Sequence, residues 1–255
     1  MSQPPSTLRS ASGPGRKSKL GSNPSGPGPL GHSFDNDERI MWLPDPPLSY
    51  RIIKRAIDVA FSLASLILLS PFLAIIALAV KLGSEGPVLF PQWRLGYHAR
   101  PFCLLKFRSM YHHTDHLIHK EYLRALLSGE LGQPGQTPLY KLRADPRVTR
   151  VGRILRKTAL DELPSFFCVL MGDMSLVGPR PPIPYELEAY EPWHKLRLSA
   201  KPGITGLWQV KGRFRTTFDE MVKLDIEYIK NPSIWLDLKI ILRTPWVVLR
   251  GEGAY

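Results

Sequence analysis

The chain has 255 residues and a formal net charge of +12, with 34 Lys and Arg against 22 Asp and Glu. That balance predicts an anionic partner: nucleic acid, an anionic membrane surface or a phosphorylated substrate. Its two cysteines, Cys103 and Cys168, lie far apart and outside any C-x-x-C pattern, which implies neither a disulfide framework nor a thiolate metal centre and fits reduced thiols on a cytosol-facing protein.

Pro, Gly and Ser fill 24 of the first 50 positions. Such a segment buries too little apolar surface to offset its ordering entropy, so residues 1–48 read as a disordered arm and 49–255 as the folded unit. No apolar h-region follows Met1, so no signal peptide is expected. Between Asp58 and Lys81 runs "VAFSLASLILLSPFLAIIALAV", without a charge. As one helix it would cover about 33 Å, enough to cross a hydrocarbon core of about 30 Å. Two features favour a different path. Ser70-Pro71 sits at its centre, where proline removes a backbone hydrogen bond and kinks a helix. Arg51, Lys54, Arg55 and Lys81 flank both ends, which the positive-inside rule would keep in the cytosol. A re-entrant helix over 52–82, broken at Ser70 and Pro71, satisfies both; a straight span with a tolerated kink and a buried core helix are the alternatives.

Next come two strand-like runs, "GPVLFPQWRLG" with a turn at Gly86-Pro87 and "RPFCLLKFRSM" with alternating apolar and basic residues. Helical periodicity returns over 115–130, where His112, His116 and His119 would share a face; without a companion motif this reads as a solvated face and no metal is assigned there. Residues 132–138 read as a loop. Helices are predicted at 147–157, 161–172, 183–200 and 217–230. The last apolar run, "SIWLDLKIILRTPWVVLR", mixes Trp with Lys and Arg and suits an interfacial helix or an amphipathic core helix. The whole pattern predicts a compact, mostly helical α+β membrane-associated domain with interfacial amphipathic helices.

Besides the histidines, two groups of residues could carry chemistry. Arg180 stands among Pro179, Pro181 and Pro182, and "KPGITGLWQVKGR" holds Pro202-Gly203, the sequence of a type II turn, followed by Gly206 and Gly212-Arg213. With Lys106 and Arg108, arginines on such rigid turns suit phosphate oxygens, while structural ion pairs or lipid headgroup contacts are the plainer alternative. Glycines beside them would let a ligand approach the backbone. The acidic set is Asp161-Glu162, Asp173, Asp225 with Glu227, and Asp237. Mg²⁺ takes one or two carboxylates plus substrate phosphates, and a carboxylate ionised by a basic field can act as a nucleophile. For "TALDELPS" there is also a structural reading, because Thr158 and Asp161 have capping-box spacing.

In order, "KRAIDVAFSLASLILLSPF", "GPVLFPQWRLG", "FCLLKFRSM", "DPRVTRVGRILRKTALDELPSFFCVLMGDMSLVGPRPP", "KPGITGLWQVKGR" and "LDIEYIKNPSIWLDLKI" resemble the bacterial sugar transferases, monotopic polyprenyl-phosphate phosphoglycosyl transferases. The resemblance runs from about Tyr50 to the C-terminus and is to the short catalytic form. It implies transfer of a sugar-1-phosphate from a UDP-sugar to undecaprenyl phosphate, with release of UMP and with Mg²⁺ as cofactor. It further implies a site on the cytoplasmic face of the bacterial inner membrane. Asp161 matches the family's nucleophile, which forms a covalent phosphosugar intermediate, and Glu162 its metal-associated partner. Lys106, Arg156, Arg180, Arg213 and Asp237 match positions lining the phosphate and metal site. Ala159, Ser165 and Phe167 depart from the common Ser, Gln and Asn, which bears on hydrogen bonds around the dyad. The sugar is not named by the sequence, with a hexose such as glucose or galactose preferred, and a homo-oligomer is left open. A non-enzymatic membrane scaffold is the rival reading; nucleic acid is not expected as a partner, since it explains neither the apolar stretch nor the dyad.

Overall fold

A computed structural model of the chain describes residues 41–111, 145–211 and 216–249. The expected 115–130 helix, the 132–138 loop and Arg213 lie outside the described residues. Leu48–Gly83 forms helix α1, 36 residues and about 54 Å long. The chain stays helical through the expected break at Ser70 and Pro71, where the Ser70 hydroxyl donates to Ile67 O at 2.8 Å. This helix is long and apolar enough to cross a membrane, and only 11% of its most apolar window is buried. A buried core helix is thereby excluded: Leu63, Ile67, Leu68, Ile75 and Leu78 all face outward.

One stripe of α1, Asp58, Ser62, Leu66, Ile76 and Val80, is buried, the i, i+4 pattern of a helix laid against a surface. Near its start, Arg55 donates to Val169 O and Leu170 O, and Asp58 accepts from Ser175 Oγ at 3.0 Å and Leu176 N at 2.9 Å. Near its end, Ile76 and Val80 pack with Phe107 and Leu155. There the buried Arg108 donates to the carbonyls of Val80, Ser84 and Pro87, so this arginine serves the end of α1 rather than a ligand. Both halves of α1 thus rest on the same folded body.

That body begins with strands β1 (Leu89–Leu95) and β2 (Pro101–Phe107), antiparallel with Gln92 opposite Leu104 and Phe90 opposite Lys106. Their connection carries His98 and Ala99 at φ of 52° and 58°. His98 stacks between Tyr97 and Trp42, with centroids 3.8 and 4.6 Å away, which holds this uncommon backbone in place. Leu43 N donates to Ser199 Oγ, so residues 41–47, read from the sequence as arm, belong to the folded body.

The helices α2 (Arg150–Lys157) and α3 (Ser165–Met171) follow, then strand β3 (Ser175–Val177), which pairs in parallel with β4 (Gly203–Thr205). Gly203 therefore opens a strand, without the positive φ of a type II turn. A Cβ on Gly178 would come within 2.3 Å of Lys201 O, and one on Gly203 within 2.1 Å of Gly178 N. These glycines are needed for the close contact between two chain segments, and Gly203 also lines a cleft shared with Arg180. In place of the predicted 183–200 helix stand two 3₁₀ segments, Pro184–Ala189 and Pro192–Ser199. Pro192, which lacks an N–H and disfavours helical φ/ψ in the residue before it, separates them. The chain closes with α4 (Leu207–Lys211), α5 (Phe218–Lys230) and α6 (Ile234–Leu249). Helix α5 starts with a true capping box between Thr217 and Glu220. Leu176, Val177, Leu207, Tyr228, Ile229 and Ile240 join Phe102 and Leu104 of the hairpin in the main core.

Candidate active site

The segment between β3 and β4 is held unusually completely. Pro179 O accepts from Gly203 N at 2.9 Å, Arg180 O from Arg197 Nη2 at 3.2 Å, Pro181 O from Arg94 Nη1 at 3.0 Å, and Pro182 O from Leu95 N at 3.0 Å. Four successive carbonyls are thus pinned by three different parts of the fold, while three prolines restrict φ. Arg180 is presented from a backbone with little freedom left to lose on binding. Behind it Arg197 donates to Asp225 Oδ2 at 2.6 Å, a pair almost wholly buried. Asp225 therefore belongs to the scaffold.

Asp161 and Glu162 occupy a single 3₁₀ turn, Leu160–Glu162, entered through Ala159 at φ 56° and ψ 18°. The capping-box reading of Thr158 is overturned, because Thr158 ends α2 and its hydroxyl turns back toward Ile154 O and Leu155 O. The left-handed Ala159 then reverses the chain, so the acidic pair projects from a corner. Asp161 is buried. Glu162 Oε1 accepts from Lys106 Nζ at 2.7 Å, with side chains 37% and 19% exposed. An ion pair this accessible contributes at most about 1 kcal/mol, so the two groups can part for a ligand. Arg156 donates from Nε to Ser109 Oγ at 2.8 Å. Burial lowers its pKa, and the nearby Asp161, then Asp145, oppose that shift, which places the guanidinium in the field of the Asp161 carboxylate.

A cleft joins these parts. Lys106, Glu162, Arg180 and Pro181 line it together with Arg94, Leu104, Ser165, Met174, Ile204 and Gln209. Of the residues singled out in the sequence, Lys106, Glu162 and Arg180 meet here, with Asp161 adjacent to Glu162 and Arg156 close to Asp161. Asp237 goes elsewhere. It is buried at the start of α1, accepting from Tyr50 OH at 2.9 Å, Lys54 Nζ at 3.0 Å and Tyr228 OH at 2.6 Å. Ser165 donates to Leu105 O, which satisfies the hydroxyl that stands where a longer amide is common. Arg94 and Gln209 also line the cleft, though no motif in the sequence marks them. The signal for Arg94 was strand alternation: with Gln92 it shares one face of β1, the face on which Leu104 and Lys106 lie across the hairpin.

Among the described residues no three His, Cys, Asp or Glu gather as a metal site. Two adjacent carboxylates at the rim of a basic cleft nonetheless fit Mg²⁺, which takes one or two protein oxygens and completes its shell with water and phosphate.

The model of the family described as bacterial sugar transferase matches residues 49–251. The chain is similar to the undecaprenyl-phosphate galactose phosphotransferase of Salmonella typhimurium, 44% identical over 209 residues that make up 81% of this chain and 42% of that protein. It is similar to the UDP-glucose:undecaprenyl-phosphate glucose-1-phosphate transferase of Escherichia coli, 40% identical over 230 residues, 86% of this chain and 46% of that protein. The exopolysaccharide production protein ExoY of Sinorhizobium fredii is 37% identical over 204 residues, 80% of this chain and 88% of ExoY. The chain thus spans less than half of the first two relatives and most of the third.

Proposed function

The chain belongs to the bacterial sugar transferase family, and from that premise we propose that it moves a sugar-1-phosphate from a UDP-sugar to undecaprenyl phosphate and releases UMP. The gathering of Lys106 and Arg180 around Glu162, one residue from the buried Asp161, carries the reading. In the first step an Asp161 carboxylate oxygen attacks the β-phosphorus of the donor. The bond from that phosphorus to the bridging oxygen breaks, UMP leaves, and an aspartyl phosphosugar remains. In the second step an oxygen of the lipid phosphate attacks the same phosphorus, which frees the carboxylate and leaves the sugar on a polyprenyl diphosphate. Lys106 and Arg180 face the negative charge of the phosphates, and Arg156 holds the Asp161 side of the site positive. Glu162, with Asp161, would hold Mg²⁺, which would supply positive charge against the diphosphate and the departing UMP.

The contacts of α1 support a membrane-seated site with both ends of the helix on one side, and the basic residues Arg51, Lys54, Arg55 and Lys81 at those ends favour the cytoplasmic side. Asp58 and Val80 are separated by about 33 Å of helix rise, roughly a hydrocarbon core, yet both touch the same body. A span would carry one of them across. A helix that enters one leaflet and returns keeps both ends with the domain, where a soluble donor and a lipid acceptor can meet. The exposed Trp235, Leu242, Trp246 and Leu249 of α6 suit the same interface. Relatives named for both glucose and galactose support a hexose donor, and the ExoY likeness a place in exopolysaccharide or related glycan assembly.

Purified protein in nanodiscs, given undecaprenyl phosphate, Mg²⁺ and a panel of UDP-sugars, is expected to release UMP with one or two hexose donors. Asp161→Asn should lose this activity by several orders of magnitude. Full turnover by that variant would contradict the nucleophile assignment, and no release from any UDP-sugar would contradict the reaction.

A further inference from the structure

Arg94 is almost fully buried, at 5% exposure, yet lies on the wall of the cleft. A guanidinium has five N–H donors. Three are engaged: Nε and Nη2 donate to Gln92 Oε1 at 3.2 and 2.8 Å, and Nη1 donates to Pro181 O at 3.0 Å. One N–H on each terminal nitrogen remains. Among the described residues no carboxylate lies within ion-pair distance of it; Glu186 and Glu162 act on it only from further away, and Arg180 opposes its charge. Buried arginines are ordinarily paired with an anion, because an uncompensated buried charge is costly. Arg94 is instead held by two neutral oxygens, and it shares the cleft wall with the cations Lys106 and Arg180 as well as with Glu162, which is itself paired with Lys106. Burial together with Arg180 pulls its pKa down to about 10, which leaves it charged at neutral pH.

Resting on the transferase reading, we propose that Arg94 is a substrate-binding residue of the cleft, whose free N–H groups take a phosphate oxygen, and that Gln92 is the positioning residue that aims it. The neutral amide suits this role. It fixes the guanidinium through two N–H groups without neutralising it, as a carboxylate would. The bond to Pro181 O ties the same arginine to the segment that presents Arg180, so the two cations approach one phosphate group as a rigid pair. The phosphate belongs either to the nucleotide donor or to the lipid acceptor.

The deciding variant is Gln92→Glu, which keeps both bonds to Arg94 and supplies the missing counter-charge. If Arg94 only props the fold, this change leaves melting temperature the same or higher and binding unaltered. If Arg94 binds phosphate, the internal carboxylate competes with the ligand. Full-length protein in nanodiscs would be titrated with pyrophosphate and with UDP, and KM measured for the UDP-sugar and for undecaprenyl phosphate. The expected result is an unchanged or raised melting temperature with at least tenfold weaker pyrophosphate binding. A tenfold rise in KM for the UDP-sugar alone assigns the contact to the nucleotide, and a rise for the lipid alone assigns it to the acceptor. Arg94→Lys, which keeps charge but loses the fork, should weaken the same ligand. Wild-type affinity and both KM values retained in a folded Gln92→Glu protein would overturn the proposal. A wild type that binds pyrophosphate but turns over no UDP-sugar would instead sink the transferase reading and leave the anion site standing.

Discussion

Ala159 is the residue on which the dyad turns. An L-residue at φ 56° pays about 1–2 kcal/mol for its left-handed backbone, and here it does so immediately before Asp161. Ala159→Gly removes the Cβ conflict and, after the extra chain entropy of glycine, should stabilise the protein by about 1 kcal/mol, read as a melting temperature raised by about 2–4 °C. A lower melting temperature would show that the corner is not strained. The carboxylates divide in a way no spacing could reveal. Asp225 and Glu227 are two positions apart, but Asp225 is buried against Arg197 while Glu227 meets Lys211 with both side chains about half exposed. Asp225→Asn should cost about 3–5 kcal/mol by leaving Arg197 uncompensated, whereas Glu227→Gln should cost less than about 1 kcal/mol. Equal shifts in thermal unfolding would refute that division. The basic character of the site was legible from Lys106 and Arg180; the separate placement of Asp237 was not, because its partners Tyr50 and Lys54 lie more than a hundred positions away in the chain.

Among the elements, those set by local rules came out close to expectation. Helix α5 begins at a capping box and α2 at the Thr149 N-cap, whose Oγ1 accepts from Gly152 N at 2.8 Å. The hairpin forms from the two strand-like runs, although in β1 it is Arg94 that is buried while Leu89 and Trp93 stay exposed. Elements interrupted by proline did not: the expected 161–172 helix splits at Pro164, and the 183–200 helix at Pro192. Junctions were also invisible in the sequence, since they depend on contacts across the fold. At one of them α2 meets the end of β2 so closely that a Cβ on Gly152 would lie 2.0 Å from Ser109 O. Gly152→Ala should therefore push α2 off the hairpin, break the bond from Arg156 to Ser109 Oγ, and lower both melting temperature and UMP release by at least tenfold in rate. Unchanged activity in this variant would show that Arg156 needs no support from that contact.

At the scale of the whole molecule, the apolar stretch was plain in the sequence, but its docking along one body was not, because the buried stripe is mixed with outward-facing Leu and Ile. With Cys103 and Cys168 replaced by alanine, Ser49→Cys and Glu85→Cys placed at the two ends of α1 should both react with an impermeant thiol reagent from the cytoplasmic face only. Labelling of one of them from the opposite face would restore a spanning helix. The proposed reaction turns on a single covalent step at Asp161, on a corner near which Lys106, Arg156 and Arg180 lie. That step can be read directly by intact-mass spectrometry after incubation with a hexose UDP-sugar and Mg²⁺ in the absence of undecaprenyl phosphate. With this mechanism the wild-type chain gains the mass of one sugar phosphate, Asp161→Asn gains none, and added lipid phosphate removes the adduct. Turnover with no adduct at any time point, or an adduct that persists in Asp161→Asn, would contradict it.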